Sequence, residues 1–344
     1  MWKTSAEESL AREIFRKSKD AIDVEAIKDV RENSKKATKV RIEVPWGHIA
    51  GKWWGPQNVR PILCIHGWQD NLGTFETLIP LLPQEFAYLA IDLPGHGFSS
   101  PIPHGMNYSA YDFVWLIKRI QEIYEWEKIS ILAHSLGAIL SFVYAGLFPE
   151  KVEFVIALDA LKPKIMPDLI DHVRGLISNV TIEDERNQRP NNEPPSYTFD
   201  ELIEKLHIGT YKSISPEYCP YILSRGVRKS TRYPEKYFFN RDGRLKSFTH
   251  LLIGQESCLL LARNIKNTPY MYIRAEQSIV KLWEEEKYLM EVVEEMKKVN
   301  SNFHYCPVNG GHHVHLTNPT TISGIITDFI RKYSKASAAL KAKL

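Results

Sequence analysis

No stretch of the 344 residues is apolar for long enough to span a bilayer, and no apolar core of a secretory leader is visible. The reading is therefore of a chain without stable membrane insertion. Only four cysteines occur, Cys64, Cys219, Cys258 and Cys306. They are scattered, with no C-x-x-C and no zinc-ligand spacing, which argues against a disulfide framework and sets the expectation of no metal. Free thiols in a reducing compartment are the simplest reading. A charge excess is missing too: 44 Lys and Arg against 41 Asp and Glu leave a net charge of +3, too close to balance to argue for nucleic acid. Internal repeats and low-complexity segments are absent. What remains is ordinary globular composition, 44% hydrophobic and 25% charged, at a length that suits one large α/β domain with an insertion or two small domains.

One stretch organises this chain, KISILAHSLGAIL from Lys128 to Leu140. Ile129-Ser130-Ile131-Leu132 reads as a buried strand, and Ala138 onward reads as a packed helix. Between them Ala133-His134-Ser135-Leu136-Gly137 puts a serine on a sharp strand-to-helix turn, the form of a nucleophile elbow. The strained serine needs small residues two before and two after it, and Ala133 and Gly137 supply them. The following helix aims its N-terminal N–H groups at the place where an oxyanion develops. Against this stands the bland reading of a serine that merely caps a helix. The rest of the chain must supply a histidine, an acid and a second oxyanion donor.

Taken in order, residues 1–38 read as a helical extension mixing charge with Leu10, Ile14, Phe15, Ile22 and Ile27. Val40–Val44 and His48–Trp54 read as a hairpin around Pro45-Trp46-Gly47. Pro61–Ile65 is a buried strand that ends in His66-Gly67-Trp68. The Trp68 N–H there is the expected second oxyanion donor beside the Leu136 N–H, and His66 reads as a loop anchor rather than a proton carrier. A helix over Thr74–Leu82 and a strand over Ala87–Ile91 follow. Next comes the loop Asp92–Gly97, in which Asp92 and His96 read as architecture. Tyr108–Trp126 reads as an amphipathic helix, and Val152–Leu158 as a strand ending in Asp159. Proline and charge clusters then interrupt short helical pieces over 160–266, read as a cap or lid insertion between parts of a core at 39–159 and 267–334. The core resumes with strand Tyr270–Ile273, helix Ser278–Val299, strand Phe303–Val308, loop Asn309–Leu316 and helix Pro319–Tyr333. Alternating apolar strands and helices imply a mostly parallel sheet covered on both faces. Residues 335–344 read as a flexible tail. Its last three residues, Ala342-Lys343-Leu344, resemble the S-K-L peroxisomal address and would be met by an import receptor. Peroxisome and cytoplasm are the two compartments this leaves open.

The succession of His66-Gly67-Trp68, DLPGHG at Asp92–Gly97, AHSLG at Ala133–Gly137 and GGHHVH at Gly310–His315 resembles the α/β-hydrolase superfamily. VPWGHIAGKWWG, HGWQDN, LIPLLPQ, FNRDGRL and NGGHHVHLTNP narrow the resemblance to the serine hydrolase-like, or Kraken-like, family. It implies an α/β-hydrolase fold, a serine hydrolase acting on ester-type substrates, Ser135 as nucleophile and His312 as general base. His313 and His315 read as loop packing. The acid departs from the superfamily pattern: the usual G-x-x-D loop after the next-to-last strand would put an Asp at position 278, which here is Ser278. Asp159, at the end of the strand after the elbow helix, is the preferred substitute, and Glu276 the alternative. Such an enzyme needs no cofactor. An acyl-CoA thioesterase of the same mechanism is a competing reading, with Arg225, Arg228, Lys229 and Arg232 as candidate phosphate contacts. A non-catalytic scaffold that kept the fold is another. Ser135 argues against the aspartate-nucleophile dehalogenases and epoxide hydrolases of the same fold.

Overall fold

The apolar runs become strands of one sheet in the computed structural model, which describes residues 37–334 except 167, 188–192 and 284. The expected N-terminal helix lies almost wholly outside the described residues, and the Ala342-Lys343-Leu344 tail entirely so. Strands β1 (Ala37–Val44) and β2 (Gly47–Trp54) form the expected hairpin. β3 (Ile62–Ile65), β4 (Tyr88–Ile91), β5 (Ile129–His134) and β6 (Val152–Leu158) are buried at every position, as strands covered on both faces must be. β9 (Tyr270–Ala275) and β10 (Phe303–Val308) complete an eight-stranded sheet of order β1-β2-β4-β3-β5-β6-β9-β10. Only β1–β2 and β2–β4 pair antiparallel; every other neighbour is parallel. Because side chains alternate, each strand feeds two cores: Leu63, Ile65 and Ile131 point into one, Cys64, Leu132 and Ile156 into the other.

The crossovers place helices on those faces. α1 (Ala110–Ile123) enters under a Ser109 cap and buries Phe113, Leu116, Ile117 and Ile120, and α2 (Leu136–Leu147) follows the elbow. The expected helix over Thr74–Leu82 is instead two short 3-10 segments, Leu72–Phe75 and Ile79–Leu81. Pro80 lacks the N–H that a continuous helix would use. Pro83 disfavours helical backbone in Leu82, which is extended at ψ 161°.

The insertion is a cap with its own small core. Its helices are α3 (Leu169–Asn187), α4 (Phe199–Gly209), which opens on a Thr198–Glu201 capping box, and α5 (Cys219–Gly226). A short hairpin, β7 (Val227–Lys229) with β8 (Tyr237–Phe239), joins them. Leu202, Ile203, Leu206, Ile222 and Leu223 cluster there, each buried side chain contributing roughly 1.5–3 kcal/mol. With 19 residues, α3 is longer than the short pieces the prolines suggested. α6 (Gln255–Asn264) falls inside the expected cap, yet it packs on α2: Leu261 lies against Gly146, and Asn264 donates to the Gly146 carbonyl. By packing it belongs with the sheet layers. The expected Ser278–Val299 helix is split into a 3-10 turn, Ile279–Leu282, and α7 (Glu286–Val299). A single helical turn, Val314–Thr317, precedes the final helix, α8 (Thr320–Tyr333). The loops after β3, β5, β6, β9 and β10 all leave the C-terminal edge of the sheet, where open α/β folds build their sites.

Candidate active site

Ser135 sits between β5 and α2 with φ 51° and ψ −117°, a conformation that only a tightly held turn keeps. Its N–H donates to the Leu158 carbonyl at 3.0 Å, anchoring the turn to β6. A Cβ on Gly137 would stand 2.3 Å from the Ile65 carbonyl oxygen, so the position two after the serine admits no side chain. Ala133 is fully buried on the strand side.

Ser135 Oγ lies 3.0 Å from His312 Nε2, and His312 Nδ1 lies 2.6 Å from Asp159 Oδ2. A carboxylate only accepts, so Nδ1 carries the proton and Nε2 is the acceptor facing the serine hydroxyl. Asp159 is 2% exposed and follows β6 with φ 54°. Its carboxylate also accepts the Ala275 N–H at 2.8 Å and the Ser278 hydroxyl. Thus Ser278, standing where the superfamily pattern puts the acid, donates to the carboxylate that meets His312. The same hydroxyl oxygen accepts the Val280 N–H, which starts the 3-10 turn that splits the expected helix. Glu276 is exposed on this loop and away from His312; its N–H donates to Val308. Of the two candidate acids, Asp159 is the one brought to the histidine.

The oxyanion candidates Trp68 and Leu136 line the same cavity as Ser135. Among the described residues no acceptor takes the N–H of Trp68 or of Leu136. The Trp68 indole donates to the Leu245 carbonyl at 2.9 Å, fixing the loop to the cap-side 3-10 turn Gly243–Ser247. His66 is the anchor its sequence context suggested. Its Nε2 accepts the Leu93 N–H and its Nδ1–H donates to the Gly67 carbonyl, while burial pulls its pKa down to about 4. His96 accepts the Gln69 N–H, and Asp92 accepts the Leu72 and Phe98 N–H groups.

Arg225 is buried and paired with Asp92, 2.5 Å from Nη2 to Oδ2. Arg228, Lys229 and Arg232 lie away from the cavity over Ser135. None of the four basic residues proposed as phosphate contacts therefore lines it. Lys164, Lys205, Arg241 and Lys246 do, in a cavity of about 780 Å³ closed by cap residues such as Leu206, Ile222 and Phe239. Among the described residues only Asp70 and Asp242 bring carboxylates to this lining, and Asp242 is engaged by Arg244 and the Tyr108 hydroxyl.

His134, inside the elbow pentapeptide, donates Nε2–H to the His312 carbonyl at 2.9 Å and so pins the histidine loop. His313 bonds Ser213 and His315 bonds Thr74, the packing roles expected of them. Sequence reasoning missed Ser278 as a support, although its occupation of the acid position was the available signal. It also missed Asp70 and His134.

An eight-stranded, mostly parallel sheet with a serine at the elbow after its central strand and a helical cap defines an α/β-hydrolase. Residues 60–178 match the family model described as "alpha/beta hydrolase fold". The chain is 33% identical over 302 residues to a serine hydrolase-like protein of Danio rerio, covering 87% of this chain and 90% of that one. It is 35% identical over 303 residues to a probable serine hydrolase of Drosophila melanogaster, covering 85% and 87%. A hypothetical protein of Pseudomonas aeruginosa is similar in structure, with TM-score 0.71 and 25% identity over 86% of this chain and 98% of that one. The chain belongs to the serine hydrolase-like family of the α/β-hydrolase superfamily. The general activity that goes with this fold and family is hydrolytic, of the esterase type.

Proposed function

We propose that the protein cleaves carboxylic esters through an acyl-serine intermediate, with Ser135 as nucleophile, His312 as general base and acid, and Asp159 as the orienting carboxylate. The observation that carries this reading is the continuous hydrogen-bonded chain Ser135–His312–Asp159 at the strained elbow. In the first step Ser135 Oγ attacks the ester carbonyl carbon and its proton passes to His312 Nε2. The carbonyl oxygen becomes an oxyanion that the Trp68 and Leu136 N–H groups meet, both being free of other acceptors. The tetrahedral intermediate collapses, and the leaving alkoxide takes the proton from Nε2. Water then repeats the sequence on the acyl-serine, giving its proton to His312 and releasing the acid. Asp159 holds the imidazole in the Nδ1–H tautomer and stabilises the imidazolium. The reading calls on no cofactor, and it assigns substrate selection to the cap at 160–266.

A second reading, hydrolysis of an anionic thioester such as an acyl-CoA, gains support from the four cations in the cavity lining. Turnover of p-nitrophenyl esters from acetate to decanoate, compared with acyl-CoA substrates, separates the two. Wild type is expected to turn over and to be labelled by a fluorophosphonate, whereas Ser135→Ala does neither. Wild type no faster than Ser135→Ala on every substrate, and unlabelled, would leave the scaffold reading. The compartment is proposed as peroxisome or cytoplasm, and a fluorescent fusion imaged with and without Ala342-Lys343-Leu344 separates the two.

A further inference from the structure

Beside the serine, on the far side of the histidine loop, three buried side chains point lone pairs at one another. His134 Nδ1 lies 3.9 Å from Asp70 Oδ2, and His313 Nε2 lies 3.9 Å from the same oxygen. All three atoms fall within 4.8 Å of one another. Proton positions follow from their other partners. His134 Nε2 donates to the His312 carbonyl, so Nδ1 is bare. The single hydroxyl proton of Ser213 is committed to the Thr210 carbonyl at 2.7 Å. Ser213 Oγ, 2.7 Å from His313 Nδ1, therefore accepts from that nitrogen, and His313 Nε2 is bare as well. Asp70 uses its other oxygen, Oδ1, for the Asn71 N–H. Asp70 Oδ2 and His134 Nδ1 have no hydrogen-bond partner, although their side chains are 6% and 1% exposed.

Two buried acceptors without a hydrogen-bond partner, Asp70 Oδ2 and His134 Nδ1, with His313 Nε2 converging on them, call for a cation among them. We propose that Asp70, His134 and His313 form a binding site for a divalent transition-metal ion, with zinc as the type ligand. Two imidazoles and one carboxylate suit zinc better than calcium or magnesium, which take oxygen donors. Each imidazole is already oriented through its second nitrogen, by a carbonyl and by a serine hydroxyl, as metal-binding histidines usually are. A tetrahedral zinc spaces its ligand atoms about 3.3 Å apart, so closure needs shifts of less than about 1 Å per side chain. The three residues also line the substrate cavity, which gives an entry path and a side for a fourth ligand. His134 precedes Ser135 and His313 follows His312, so a bound ion would pull on both ends of the Ser135–His312 hydrogen bond. Reversible inhibition is the expected consequence.

The site is tested by binding rather than turnover, so it does not depend on the ester-hydrolase reading. Chelator-stripped full-length protein is titrated with zinc against a chromophoric chelator, and separately with cobalt, whose visible bands report a His/carboxylate environment. Wild type is expected to take one ion per chain. Asp70→Asn and His313→Gln should each weaken zinc by about 100-fold or more, while His312→Ala leaves the affinity within about threefold. Melting curves without metal show which variants are folded, and either of the first two suffices. Stoichiometric binding that survives both Asp70→Asn and His313→Gln, or that disappears in His312→Ala, would place the ion on the general base and overturn the proposal. So would the absence of saturable binding in wild type.

Discussion

Two aspartates, Asp92 and Asp159, end parallel strands on the same edge of the sheet, and both are buried. They hold different things. Asp92, after β4, accepts the Leu72 and Phe98 N–H groups and pairs with Arg225 of the cap helix α5. Asp159, after β6, accepts the Ala275 N–H and the Ser278 hydroxyl and holds His312. One carboxylate clamps the cap and the loop behind the site; the other, in the proposed mechanism, orients a group that moves a proton. The difference lies in the third partner. A guanidinium stays charged and fixes structure, whereas an imidazole can be charged and discharged within a catalytic cycle. Burial and local hydrogen bonding alone would not have told the two apart.

The largest effect should come from Asp159. Asp159→Asn keeps the shape but offers an amide to His312, and kcat for p-nitrophenyl esters is expected to fall by about 10⁴-fold while the melting temperature moves little. Glu276→Gln should stay within about twofold of wild type in the same assay. A collapse of activity in Glu276→Gln instead would move the acid to the β9 loop. Asp92→Asn should reverse the pattern. It leaves Arg225 buried without its counter-charge, a loss of about 3–5 kcal/mol in urea unfolding, while the folded fraction retains its kcat. If Asp92→Asn were instead as stable as wild type and inactive, the contrast between the two aspartates would fail.

A smaller effect attaches to His66, which lies behind Asp92. Burial lowers its pKa from 6.5 to about 4, with Asp92 opposing the shift. Between those values the unfolded chain binds a proton that the native His66 does not, so stability falls as pH drops from about 6.5 to about 4. The loss reaches about 3 kcal/mol. Urea melts of wild type at pH 7.5 and 4.5 measure the total acid loss, and His66→Gln should reduce it by about that amount. An unchanged loss in the variant would mean that His66 titrates normally in the native state.

How much of this was legible beforehand differs between the core and its exceptions. The strands could be read because each is a short apolar run between turn signals, a pattern that leaves them no place but a covered sheet. Ser135 and His312 could be read because their neighbours are constrained: Gly137 by the Ile65 carbonyl, and His312 by the glycine-rich loop that carries it. The prolines at 80 and 83 were a missed signal against a continuous helix. Arg225 was read as a candidate phosphate contact because it stands in a run of basic residues, and only the tertiary fold shows that Asp92 already pairs with it. The Asp70–His134–His313 cluster draws on three distant stretches, each polar residue having an ordinary local reading. No spacing rule could have assembled it.

The smallest effect is the most diagnostic, because it concerns how Asp159 came to hold His312 from a strand end rather than from the usual loop. Ser278 Oγ donates to Asp159 Oδ2, the oxygen that also accepts the His312 Nδ1–H. Ser278→Ala removes one donor to a buried carboxylate but leaves Ala275 N–H and His312 in place, so kcat should fall by only about tenfold. If Ser278 occupies the position from which a carboxylate could also reach the imidazole, then Asp159→Asn combined with Ser278→Asp should regain at least about tenfold over Asp159→Asn alone, the amide introduced at position 159 donating to the new carboxylate. Ser278→Asp by itself would set two carboxylates against each other in a buried site and should be less active and less stable than wild type. Rescue in the double variant would make Asp159 and position 278 interchangeable anchors for one histidine. Failure of rescue, with the double variant folded, would mean that the β9 loop of this chain has lost the reach to serve as an acid position and that the strand-end carboxylate is the only workable one.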